Sequence, residues 1–98
     1  MTRETTNDKM KMLFYTEIML TQYIQAAMRQ AKYEILSDDG SYYGEIPGFQ
    51  GVYANAETLE DCRNELAEVL EEWIFLHLAD NTPLPIVNGL KLNVEKVA

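Results

Sequence analysis

Between Lys32 and Asn55 the chain breaks into three short β-favouring runs, Tyr33 to Leu36, Tyr42 to Ile46 and Val52 to Asn55. They are parted by Asp38-Asp39-Gly40-Ser41 and by Pro47-Gly48. Asp-Gly between two such runs is a strong hairpin signal, because glycine accepts the positive φ that a tight turn requires. The segment therefore predicts a three-stranded antiparallel meander, its turns shaped by Gly40, Pro47, Gly48 and Gly51 through fixed or positive φ.

Helical patterns flank the meander. After Thr58, the residues Leu59, Cys62, Leu66, Val69, Leu70 and Trp73 fall on one stripe, and Glu60, Glu65, Glu68, Glu71 and Glu72 lie largely away from it. Thr58 can cap this helix, with Asp61 at the position where a capping box usually has Glu. The stop is expected near Asp80 or Asn81, because Thr82-Pro83-Leu84-Pro85 cannot continue a helix. Upstream, Leu20, Tyr23, Ile24, Ala27 and Met28 recur at helical spacing, which predicts a helix over 10–30 ending near Arg29 or Gln30. Its first half is apolar almost all round, so Leu13, Phe14, Ile18 and Met19 are candidates for contact with the core or with a second chain. Residues 1–9 are polar and read as a flexible arm.

Beyond Asn88-Gly89, Leu90, Leu92 and Val94 alternate with Lys91, Asn93 and Glu95, the pattern of a half-buried last strand. The expected order is helix, three strands, helix, strand. A crossover through the long helix would set the last strand beside the first in a four-stranded mixed sheet, an α+β fold with the helix on one face.

With 98 residues the chain has room for one core, so a single domain over 1–98 is expected. An apolar fraction of 47% with few prolines and glycines excludes a disordered or fibrous chain. No apolar stretch approaches the roughly 20 residues of a membrane-spanning helix, and the N-terminus lacks the order of a secretion signal, so the cytoplasm is the expected location. One cysteine and one histidine are too few for a thiolate or imidazole metal site, and no cofactor is expected. A formal net charge of −8 repels phosphate backbones and favours a basic protein partner over nucleic acid.

The passage from Tyr33 to Val52, with its Tyr42-Tyr43-Gly44 strand, Pro47-Gly48 turn and Gly51, resembles the core signature of HicB antitoxins. Ala56-Glu57-Thr58-Leu59-Glu60-Asp61-Cys62 is similar to that family's helix start, and Pro83-Leu84-Pro85 to its proline-bearing segment after the helix. The resemblance spans roughly Tyr23 to Leu92, and the HicB-like core is placed at 32–95. It implies a truncated ribonuclease H-like fold: a three-stranded meander, a long helix and a fourth strand, here preceded by the N-terminal helix. It also implies a role: HicB proteins bind HicA, a small basic mRNA-cleaving toxin, and occlude its active site. Many relatives carry a C-terminal DNA-binding domain. Few residues follow the last strand here, so direct DNA binding is not expected.

On this reading the chain is an antitoxin and not an enzyme. The toxin-binding candidates are Tyr42, Tyr43, Glu45, Gln50 and Asn55, although core packing of the tyrosines and solvation of the polar groups are the plainer roles. Tyr42 and Tyr43 are adjacent on a strand, so only one ring can be a contact and the other should face the core. The alternative is a solitary oligomerising module without a toxin. Metal-dependent nuclease chemistry would need converging carboxylates, and the spacing gives Asp38, Asp39 and Glu45 no reason to meet Glu57, Glu60 or Asp61. Cys62 on the apolar stripe reads as core, and His77 as a favourable group near a helix C-terminus.

Overall fold

The computed structural model describes residues 19–92. Helix α1 (described over 19–29) leads into strands β1 (Lys32–Ile35), β2 (Tyr42–Glu45) and β3 (Tyr53–Ala56), then helix α2 (Leu59–Ala79). The expected arm, and with it Leu13, Phe14 and Ile18, lies outside the described residues.

The strands form an antiparallel sheet in the order β1-β2-β3. Its register sets Glu34 opposite Tyr43 and Tyr43 opposite Asn55, with Lys32 opposite Glu45 and Glu45 opposite Tyr53. In the first turn Leu36 N donates to Ser41 O and Gly40 N to Leu36 O, with Gly40 at φ 72°. The β2–β3 connection consists of two turns in succession. Phe49 N donates to Ile46 O and Val52 N to Phe49 O, each turn carrying a positive-φ glycine at its third position, Gly48 and Gly51.

Helix α2 packs across β3 and β2. Thr58 caps it, its hydroxyl accepting from Asp61 N at 3.0 Å, so the chain enters the helix with an otherwise orphaned donor satisfied. The buried stripe is Cys62, Leu66, Leu70 and Ile74. This rotates the expected face slightly, burying Ile74 and leaving Leu59 47% exposed. At the C-terminus Asp80 N donates to Leu76 O and Asn81 takes φ 56°, and the prolines follow.

Helix α1 contributes Tyr23, Ala26 and Ala27 to the core. The Tyr23 ring packs on Phe49 and its hydroxyl donates to Pro85 O, which ties α1 to the segment leaving α2. Among the described residues the sheet has three strands. Asn88 and Gly89, at φ 47° and 75°, turn the chain so that Leu90 bridges back to Val87, exchanging backbone hydrogen bonds of 3.0 and 2.7 Å. The backbone groups of Val87 and Leu90 are thus spent on each other in a local turn of the kind Asn-Gly favours. Residues 93–98, with the rest of the expected strand, lie outside the described residues.

Candidate functional site: an open sheet face and its loop

Because side chains alternate along a strand, one face of the sheet meets α2 and the other does not. Tyr33, Gly44, Ala54, Tyr42 and Ala56 lie on the helix side, buried or packed against the core. Lys32, Glu34, Tyr43, Glu45, Tyr53 and Asn55 lie on the other side, in two cross-strand rows that no described element covers. This parity separates the adjacent tyrosines. The Tyr42 ring faces the core side, and Tyr43 faces out.

On the open face the Tyr43 and Tyr53 rings stack with centroids 6.2 Å apart at 26°. They are diagonal neighbours across β2 and β3, a separation that long aromatic side chains bridge. The Tyr43 hydroxyl donates to Glu45 Oε2 at 3.4 Å. Partial desolvation, then the Glu45 carboxylate, holds the Tyr43 phenol above its ordinary pKa, so it stays a neutral donor. Tyr53 is 58% exposed, a large aromatic surface to leave in water.

The double turn after β2 folds against this face. Tyr43, Glu45, Tyr53 and Gln50, with Pro47 and Gly48, line an open cleft of about 560 Å³. Its floor is held from behind. Phe49 is buried between Tyr23 of α1 and Trp73 of α2, with ring centroids 6.2 and 5.1 Å away, and the Trp73 indole N–H donates to Gln50 O at 3.1 Å. The His77 ring lies 3.7 Å from that of Trp73, and its Nδ1–H donates to Trp73 O at 2.9 Å, which leaves Nε2 facing away from that bond. The loop is therefore pinned by aromatic packing and a buried anchor, and its glycines hold the two turns in shape.

The other candidates are placed as follows. Tyr43, Glu45 and Gln50 meet at the cleft. Asn55 shares the face but its amide donates to Ser41 Oγ and to Tyr42 O, both at 2.9 Å, so it fastens β3 to the start of β2. Met19, at the described start of α1, is 44% exposed and away from the cleft lining. Cys62 is fully buried, its thiol 3.7 Å from Ala54 O. Sequence reasoning passed over Lys32, Glu34 and Tyr53 as site residues. The signal was present, because the hairpin register fixes which β1 and β3 residues share the parity of Tyr43. Among the described residues no group of three His, Cys, Asp or Glu side chains converges as a metal site, and no helix is long and apolar enough to cross a membrane.

Fold and cleft define a small α+β domain that offers one open sheet face, aromatic and acidic, to the outside. The chain belongs to the UPF0150-like family, whose model matches residues 22–85, more than half of its length. A similar solved structure is the crystal structure of TTHA0281 from Thermus thermophilus, with a TM-score of 0.73 at 32% identity, over 79% of this chain and 95% of that one. No curated protein matches the chain significantly.

Proposed function

We propose that the protein is a cytoplasmic antitoxin of HicB type, which binds a small basic HicA-like ribonuclease and neutralises it by covering its active site. The observation that carries this reading is the open sheet face with its preformed cleft, where Tyr43, Glu45, Gln50 and Tyr53 stand together on a chain of net charge −8. Such a surface combines the aromatic anchors of an interface centre with charge that steers a basic partner. Membership of the UPF0150-like family is compatible with a toxin–antitoxin module. The truncated ribonuclease H-like fold belongs to the same proposal, since the three-stranded meander and the long helix suit it.

The mechanism is steric and electrostatic, and the protein itself performs no chemistry. Inhibition needs only that the bound partner's catalytic groups be closed to RNA. The test is co-expression with the small open reading frame beside the gene, followed by co-purification and a growth assay. Rescue of growth with a stoichiometric complex supports the antitoxin role, and a toxic neighbour that neither binds nor is neutralised overturns it.

A second partner is a second copy of the chain. Phe75 and Leu76 on α2 are 75% and 57% exposed and Ile35 on the edge strand is 64% exposed, apolar area that self-association would cover. This homo-oligomer is compatible with toxin binding, since those residues lie off the cleft lining. A sedimentation profile that stays monomeric across concentration would remove it.

A further inference from the structure

We infer that the cleft beside the Tyr43–Tyr53 stack is a guanidinium site, which takes an arginine side chain from a basic protein segment in preference to lysine. The inference deepens the binding role proposed above and rests on the same face. Its basis is the combination of groups in register. Glu34 stands directly opposite Tyr43, and Glu45 directly opposite Tyr53, so the half-buried and the exposed ring each have a carboxylate as cross-strand neighbour. The two rings are 26° from parallel, offering flat π surface, and Glu45 Oε2 sits beside the Tyr43 hydroxyl at 3.4 Å. A planar guanidinium can lie on an aromatic face while its fork of N–H groups reaches a carboxylate. An ammonium satisfies the charge alone.

The acidic face of α2 is an internal comparison. Glu60, Glu65, Glu68, Glu71 and Glu72 carry more negative charge than the sheet face, but the ring pair on this helix, Trp73 and His77, is half-buried and engaged with the 46–52 loop and not displayed among these carboxylates as the Tyr43–Tyr53 stack is beside Glu45. Pure electrostatics would send a cation there, and arginine recognition sends it to the cleft. The chain also holds its own competitor on the sheet face, for Lys32 stands opposite Glu45 across β1 and β2. Its charge disfavours an incoming cation, which makes the sign of one substitution informative.

The experiment uses the full chain, labelled for nuclear magnetic resonance, titrated with hexa-arginine and with hexa-lysine at equal ionic strength. The expected result is amide shift changes centred on Tyr43, Glu45, Tyr53 and the 46–52 loop, with hexa-arginine bound about fivefold more tightly than hexa-lysine. Tyr53→Ala, at an exposed position, should remove most of that preference while leaving the thermal transition in place, and Lys32→Glu should tighten hexa-arginine binding. Equal affinity for the two peptides, shifts centred on α2, or no response to Lys32→Glu would overturn the site. Peptide binding at the cleft by a chain that neutralises no toxin would sink the antitoxin reading and leave the guanidinium site standing. Toxin neutralisation without arginine preference would do the reverse.

Discussion

Of the five glycines, Gly44 is the one where an added Cβ would meet neighbouring side chains. A Cβ there would come within 2.8 Å of the Tyr33 ring carbons and 3.2 Å of Cys62 Sγ, so the strand and α2 approach closely because this side chain is missing. Gly44→Ala should cost about 1–3 kcal/mol in urea unfolding, the usual range for overpacking, with the midpoint lowered at unchanged slope. Cys62 on the other side of that contact is buried, and burial, then Glu65, pushes its thiol up from the usual range. Its alkylation by iodoacetamide at pH 8 should follow the rate or extent of unfolding, and rapid labelling of the native protein would contradict the packing. Tyr23 is pushed by burial to about 12, against 10.0 for the free phenol. A pKa raised on folding gives stability that is complete below pH 10 and lost as the pH rises through about 12. In an alkaline titration followed by tyrosinate absorbance, Tyr23 should ionise only together with unfolding.

Each secondary element was legible where local chemistry alone decides it. The three strands fall within a residue or so of the β-favouring runs, and Thr58 caps α2 as its place before Leu59 suggests. Thr58→Ala should cost about 1 kcal/mol, and Leu66→Ala, at the fully buried centre of α2, about 2–5 kcal/mol, both read from thermal or urea unfolding. The expected last strand runs on past Leu92, where the described residues end. Its alternation, Leu90 to Val94, is a pattern of period two, but pairing depends on which backbone groups are free, and Val87 and Leu90 use theirs on each other. The stripe of α2 was read one residue too far toward its start. Periodicity gives a face, whereas tertiary packing decides how much of that face is covered.

At the scale of the molecule, charge and topology act together. A net charge of −8 favours basic surfaces, and the helix α2 over β2 and β3 leaves the opposite sheet face open among the described residues. Association with such a partner should weaken on the order of tenfold between low and high salt, chiefly through the on-rate, as titration calorimetry and stopped-flow mixing would report. An affinity indifferent to salt would place the energy in apolar contacts, with Phe75 and Leu76 the first residues to substitute.

The sequence by itself determined the meander, its turns, the cap and stop of the long helix, the acidic balance and the burial of Cys62. All of these follow from neighbours a few residues apart or from composition. Only the tertiary structure decided that Tyr43 faces out while Tyr42 faces in, that Tyr53 and Glu34 join it, and that the Gln50 loop is pinned by Trp73. Alternation says that adjacent residues part, but which of them meets the core depends on the face α2 occupies. That choice is made by side chains tens of residues apart packing into one interior.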